Sequence, residues 1–382
     1  MSILSRIPIL RFGSIVNSNG GISRKGIFHL APWVLKTTLL EPLRWFESIR
    51  YNKKIRQYKI EQPPIFILGY YRSGTTYLQR MFMQDRSLGF TSIFQTVLPE
   101  IMLTCEGGMT TLLDKLSFAF NMKNHFHRIP MQWKNFPGEE DVALLSQLRS
   151  ESSQWGMLFP QRSREYLEKF VLMDGISDDV LGHWKKNYLF LLKKISIANN
   201  SRPLVLKNPP NTARIKLLLS LFPGAKFVYI ARDPFEVFAS TRRFWDVIVK
   251  YYALGSMRGV NTDEIILDSY AKITQQYFNQ KHVIPAGQLI EIKYEDFIHE
   301  PVKKMEEIYT TLQLGGFEIT RQAMILFANQ QKNYKLLNHS LDDKTRATIA
   351  DRWAPYIHYW SRQKNPHPAS IIRMPEQAPG NL

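Results

Sequence analysis

The chain has 382 residues, 44% of them apolar and 22% charged, ample for a core and ordinary in charge density. Fifty Lys and Arg against 33 Asp and Glu leave a net charge of +17, which favours an anionic ligand, an anionic membrane surface or nucleic acid as partner. The single cysteine, Cys105, excludes an intrachain disulfide and a cysteine-built metal site, and no apolar run approaches the ~18 residues of a membrane-spanning helix.

Taken in order, residues 1–26 read as loosely structured, with a turn at 17–21. Residues 27–60 read as helix, restarted or kinked at Pro42. Within them Trp33, Leu35, Leu39, Trp45 and Phe46 alternate with Lys36, Arg44, Arg50, Lys53 and Lys54. That mixture suits either a packed basic helix or one lying on an anionic membrane. Gln62-Pro63-Pro64 gives an extended entry to a buried strand at 65–68. Residues 93–128 read as aromatic-rich helix broken at Gly107-Gly108, and residues 164–198 as helix interrupted at Gly175 and Gly182. Short apolar strands are expected at 204–206, 226–230 and 289–292. Helices are expected at 212–222, from Pro234, at 263–282 and at 301–312, with a mostly helical stretch from 320 to Pro366 and a flexible tail at 366–382. Strands alternating with helices imply parallel βαβ units.

The informative stretch is IFILGYYRSGTTYLQR, residues 65–80. It reads as strand, glycine turn and helix start, with Gly69 and Gly74 spaced as in the nucleotide-triphosphate loop G-x-x-x-x-G-K-[ST]. Thr75 stands where the lysine belongs, and the loop cation is Arg72. Backbone N–H groups at a helix N-terminus, with Ser73, Thr75 and Thr76, still suit a phosphate. Lys207 and Arg232 also lie at the carboxyl ends of expected strands, where open parallel sheets bind ligands. Arg232 offers a bidentate fork, and Ser240 follows eight residues later on the same helical face.

Arg72-Ser73-Gly74-Thr75-Thr76 resembles the 5′-phosphosulfate loop of sulfotransferases that use 3′-phosphoadenosine 5′-phosphosulfate (PAPS). Arg232-Asp233-Pro234 with Ser240 resembles their 3′-phosphate signature. Lys207-Asn208-Pro209 resembles the K-x-P segment of the bacterial group related to the tyrosylprotein enzymes. Tyr294-Glu295-Asp296 followed by Pro301 resembles a downstream block that reads as structural. The matches cover about residues 63–85, 201–242 and 289–315.

The resemblance implies a P-loop-like three-layer α/β fold: a central parallel sheet flanked by helices, plus helical insertions. Residues 1–60 would form a basic amphipathic segment able to lie on a membrane. Residues 61–365 would form the sulfotransferase domain, with a helical acceptor-site insertion at about 93–200. It implies PAPS as donor and adenosine 3′,5′-bisphosphate (PAP) as product, with no metal. Ser73, Gly74, Thr75 and Thr76 would hold the 5′-phosphate, and Arg232 and Ser240 the 3′-phosphate. Arg72 and Lys207 would balance charge on the transferred and leaving groups.

The histidine that steroid and phenol sulfotransferases place two residues after the lysine is Pro209 here, so the base lies elsewhere. Glu140 is the first choice, within an acidic cluster resembling a proline-led segment of the bacterial group; Asp141 and Glu139 are the alternatives, and His125 and His127 further candidates. Asn333-Tyr334-Lys335, with His339 and Ser340, would close over the nucleotide. Aromatic stretches at 118–136 and 155–159 suggest an apolar acceptor pocket, hence a lipid or sterol-like alcohol, with carbohydrate as the alternative. The lack of a Golgi-type signal anchor suggests a cytoplasmic enzyme, peripheral on the membrane. A P-loop kinase would need the missing lysine, and a non-catalytic membrane- or nucleic-acid-binding protein would leave the paired phosphate motifs unexplained. No nucleic-acid partner is expected.

Overall fold

The computed structural model describes residues 8–124, 130–149, 151–331 and 341–362. His125, His127, the 333–340 block and the 366–382 tail lie outside them. At the centre is a five-stranded sheet of β1 (Ile65–Leu68), β2 (Gly89–Phe90), β3 (Leu204–Lys207), β4 (Lys226–Ala231) and β5 (Leu289–Lys293). Their order is β2-β3-β1-β4-β5 and every pairing is parallel.

The strands are short apolar runs because both faces are covered. Phe66, Leu68, Leu204, Leu206, Phe227 and Tyr229 point to one face and pack with the helices Asp178–Ala198 and Ile215–Leu221. Ile65, Ile67, Val205, Val228, Ile230 and Ile292 point to the other and meet the helices Thr75–Phe82, Pro301–Thr311 and Phe317–Gln331. The result is the three-layer α/β arrangement expected.

β1 is central. The chain leaves it for β2 at the edge, returns through β3, and only then crosses to β4 on the other side. The strand order therefore reverses beside β1, which opens a crevice at the carboxyl ends of β3, β1 and β4.

Several elements depart from the pattern reading. β2 was not expected: it has two residues and no apolar run. It is held by Gly89 N–H donating to the Pro203 carbonyl (2.8 Å) and by the Asn199 amide, which brackets Phe90 with bonds of 3.2 and 3.1 Å. Residues 8–18 form a helix rather than a loose lead, because Phe12 and Ile15 are buried against Trp155, Phe159 and Leu254. The helix Met102–Ala119 runs through Gly107-Gly108. Two glycines cost about 2 kcal/mol against alanine, but Met102, Leu103, Cys105, Met109 and Leu113 pack this helix onto the core. Gly182 likewise sits inside an unbroken helix, Asp178–Ala198. The segment 24–57 does break near Pro42, into the helices Arg24–Leu39 and Glu41–Gln57. Residues 93–200 are largely helical, as expected of an insertion between β2 and β3.

Candidate active site

β1 ends in a tight loop. Gly74 caps the helix Thr75–Phe82 with φ of 94°, in the left-handed region open to glycine. A Cβ there would lie 2.2 Å from the Tyr294 ring, so the loop backbone is pressed against that ring. Ser73 N–H donates to the Tyr70 carbonyl (3.2 Å), closing the turn. The Thr212 hydroxyl bonds both the N–H and the carbonyl of Gly69, at 2.8 and 3.2 Å, and pins the loop to the segment after β3. The first N–H groups of an α-helix have no partner within it. Here they sit beside Ser73 and Thr75, both buried. This is a preformed anion cradle.

Arg232, one residue past β4, reaches into the same place. Its Nη1 donates to the Arg72 carbonyl (3.1 Å), and its guanidinium lies 4.6 Å from the Tyr294 ring centroid. Its Nε is buried and unpartnered. Arg72 Nε donates to the Ser240 hydroxyl (3.1 Å). The three residues drawn from two separate motifs thus form one cationic cluster. Asp233 caps the helix Pro234–Tyr251 by accepting from the N–H groups of Phe235 (2.8 Å) and Glu236 (3.4 Å), which sets the facing of Ser240 in the second turn of that helix. Glu295 accepts from Asp233 N–H (3.0 Å) and from the Trp360 indole (3.2 Å). The Tyr294-Glu295 pair therefore borders the site rather than serving structure alone.

The acidic cluster separates into three environments. The helix Glu140–Ser146 begins within it, so Glu139 is still extended while Glu140 and Asp141 turn inward. Glu139 forms an ion pair with Lys207, whose side chain is 5% exposed against 23% for Glu139. Asp141 and Arg214 are fully buried and bonded bidentately at 2.9 and 2.8 Å. Asp141 also accepts from Asn208 (2.8 Å) and Ser153. Glu140 is fully buried, with one oxygen 3.4 Å from the Asn211 amide and the other unpartnered. Burial, then the neighbouring Asp141 and Glu139, push its carboxyl up to about 8 against the lowering pull of Lys207. The order of preference among the three acids is thereby reversed. Glu140 is sealed in and Asp141 is committed to Arg214, whereas Glu139 meets the lysine at a surface.

Arg214, Asn208 and Thr212 were not singled out from sequence. A buried arginine after a strand has no local signature; only the fold brings it to Asp141.

A cavity of about 230 Å³ adjoins the loop. Tyr70 and Tyr71 wall one end, and Met157, Leu167, Phe244 and Trp245 contribute apolar lining. Burial and then the Glu139 charge raise the Tyr71 hydroxyl well above its ordinary pKa, which ties this end of the cavity to the Lys207–Glu139 pair. The aromatic residues expected to line such a pocket are mostly elsewhere. Phe118 and Phe120 are on the surface, and Trp155 and Phe159 fill the core under the N-terminal helix. Among the described residues no group of three or more His, Cys, Asp or Glu could hold a metal ion.

Comparison with known proteins bears on the family and the fold. The chain is 25% identical over 331 residues to the ω-hydroxy-β-dihydromenaquinone-9 sulfotransferase Stf3 of Mycobacterium tuberculosis, covering 85% of this chain and 82% of the relative. The same figures hold for Stf3 of Mycobacterium bovis. The fold is similar to crystal structures of two other sulfotransferases. STF9 from Mycobacterium avium has a TM-score of 0.71 at 15% identity, over 94% of this chain and 92% of that one. STF1 from Mycobacterium tuberculosis has 0.64 at 17%, over 91% of each. The sulfotransferase family model matches residues 63–318, a span holding the anion cradle, the Lys207–Glu139 pair and the Arg232 cluster together. The chain belongs to the sulfotransferase family.

Proposed function

We propose that this enzyme takes PAPS as donor and transfers its sulfuryl group to a hydroxyl on a hydrophobic molecule. The observation that carries the reading is the Lys207–Glu139 pair beside the anion cradle. Lys207 is in register with Ile67, two residues before Gly69, so cation, carboxylate and phosphate loop meet at one edge of the sheet. Residues 73–76 hold the 5′-phosphate, and Arg232 and Ser240 the 3′-phosphate. The buried, unpartnered Nε of Arg232 is the donor such an anion would satisfy.

The acceptor oxygen attacks sulfur in line. The bond between sulfur and the bridging oxygen of the 5′-phosphate breaks, and PAP leaves with the electron pair. The acceptor proton passes to Glu139, the role first sought in Glu140 or Asp141. Lys207 exchanges Glu139 for the bridging oxygen and, with Arg72, offsets the charge that develops there. Like phosphoryl transfer, this reaction asks mainly for positioning and charge neutralisation.

The apolar cavity beside Tyr71 supports a hydrophobic acceptor over a carbohydrate. So does the name of the Stf3 relatives, which act on a hydroxylated menaquinone. Residues 93–200 then supply the acceptor side and residues 1–60 a membrane-facing segment. In the latter, Ile27, Phe28, Leu35, Leu39, Trp45, Phe46 and Ile49 are exposed together with Arg24, Lys25, Arg50, Lys53 and Lys54. Among the described residues no helix is long and apolar enough to cross a membrane, so this segment would lie on the surface. Thr75 in place of a lysine argues against a P-loop kinase.

The test is thermal stabilisation by PAP against ADP and ATP, with Arg232→Ala alongside. A selective rise with PAP, lost in the variant, is expected. Equal or greater stabilisation by ATP would overturn the donor assignment.

A further inference from the structure

The helix Met102–Ala119 ends in an apolar tip. Phe118 is 89% exposed and Phe120 74%, and Leu112, Leu116 and Met122 beside them are also exposed. Aromatic side chains of that size rarely stand in water without a partner. The tip is not a frayed end. Asn121 turns the chain with φ of 48°, and Met122 N–H reaches back to the Ser117 carbonyl (2.7 Å). Met131 N–H donates to the Met122 carbonyl (3.0 Å), and Lys123 bridges Pro130. On the inner side the Trp133 indole donates to the Ser117 hydroxyl (2.9 Å) and Trp133 N–H to the Asp114 carboxylate (2.8 Å). The two phenylalanines are therefore displayed on a braced turn.

The charges around the tip have one sign outward. Lys115, Lys123 and Lys134 are exposed, while Asp114, the acid of this stretch, is bonded to Trp133. Apolar side chains ringed by lysines match an anionic lipid surface, where the rings enter the acyl boundary and the ammonium groups stay among the phosphates. The helix Glu41–Gln57, with its exposed Trp45, Phe46 and Ile49, is joined to the same helix, because Thr104 N–H donates to the buried Glu47 carboxylate (2.9 Å). Leu43 of the one and Leu103, Met109 and Leu113 of the other pack on the same core cluster, and both outer faces turn away from it.

We infer that the Phe118–Lys123 turn is a second lipid anchor, which inserts into an anionic phospholipid membrane independently of the N-terminal segment. It rests on the hydrophobic-acceptor reading only for its purpose, delivery of an acceptor out of the bilayer. The chain that leaves the tip runs beside the helix Ile93–Val97, with Phe94 N–H donating to the Trp133 carbonyl (2.9 Å) and Ile93 N–H to the Phe136 carbonyl (2.8 Å). It then delivers Glu139 to Lys207. The tip is bonded at Met122 and Lys123 to Met131 and Pro130, which lead into Glu139, so seating the tip orients the acceptor side toward the lipid.

The experiment is co-sedimentation of the full chain with vesicles of phosphatidylglycerol and phosphatidylcholine in equal parts. The wild type is compared with Phe118→Ser/Phe120→Ser and with Phe118→Leu/Phe120→Leu, under light-scattering control of oligomeric state. The serine pair should bind about ten-fold more weakly or worse, and the leucine pair should recover most of the loss. All three should melt at similar temperatures and be equally stabilised by PAP. Unchanged vesicle binding in the serine pair would overturn the proposal. So would a wild-type dimer that the serine pair dissolves, since a second copy would then be what covers the tip. Failure of the PAP response would strike the donor reading and leave the vesicle result standing.

Discussion

The proposed donor half and the proposed acceptor half of this site are built in different ways. The donor half is set at strand ends: a loop after β1, a helix N-terminus, and an arginine just past β4, each within a few residues of the strand that aims it, although their contacts span 160 and 168 positions. The acceptor half rests on carboxylates that no strand aims, at the start of the helix Glu140–Ser146. Glu139 finds Lys207 across 68 positions, and Asp141 finds Arg214 across 73. A group anchored at a strand end can be read from its local pattern; a carboxylate at a helix start is placed only when the fold brings it to its partner. The contrast also bears on stability. The donor half leaves the buried Nε of Arg232 open for a ligand, whereas the acceptor half holds a buried polar network under the Lys207–Glu139 pair, in which Asp141 is well bonded but Glu140 Oε1, Asn208 Oδ1 and Arg214 Nε have no partner among the described residues.

Substitutions can break this division. Lys207→Ala should lower turnover by about two to three orders of magnitude while PAP binding stays within a few-fold, because the donor half would be intact; near-normal turnover refutes the role of Lys207. Glu139→Gln should cost about two orders of magnitude in turnover, again without loss of PAP binding, and flatten the acid limb of the pH–rate profile. If Glu140→Gln has the larger effect on that limb, the base is misassigned between the two.

Arg214→Leu acts on stability. It leaves Asp141 charged, buried and unpaired, and should lower unfolding free energy by about 3–5 kcal/mol in urea melts. Adding Asp141→Leu should restore much of the loss, and a simple sum of two penalties would show that the pair is not the unit.

Glu140→Gln acts on the pH dependence of stability rather than on stability at a single pH. In the wild type the folded carboxyl stays protonated up to about 8, while the unfolded chain ionises near the ordinary 4.5. A raised folded pKa means that stability is highest below 4.5 and falls as pH rises towards 8, by about 1 kcal/mol per pH unit. The glutamine variant lacks this slope. Its melting temperature should match the wild type near pH 5 and exceed it near pH 8, and parallel curves would contradict the raised pKa.

The same division explains what could be read without a fold. The strands expected at 65–68, 204–206, 226–230 and 289–292 announce themselves as apolar runs closed by turn residues, within a residue of the observed bounds, and the loop after the first by its glycines and hydroxyls. β2 could not be read, since its two residues are chosen by Gly89 and Asn199 rather than by any apolar pattern. Gly107-Gly108 and Gly182 misled because tertiary packing outweighs glycine's helix cost. The aromatic residues at 118–120 and 155–159 look alike in sequence, yet one pair lies on the surface and the other in the core.

Sequence alone was enough to propose the chemistry of the donor cradle. Phosphate capture depends on backbone direction after a strand and on a hydroxyl or guanidinium at fixed spacing, both of which are local. Only the tertiary structure told Glu139, Glu140 and Asp141 apart. Three adjacent carboxylates are equivalent as letters; they differ once a helix begins between them, one beside a lysine, one in a dry interior and one in the grip of Arg214. Desolvation and the nearest opposite charge set those differences, and neither exists until the chain has folded.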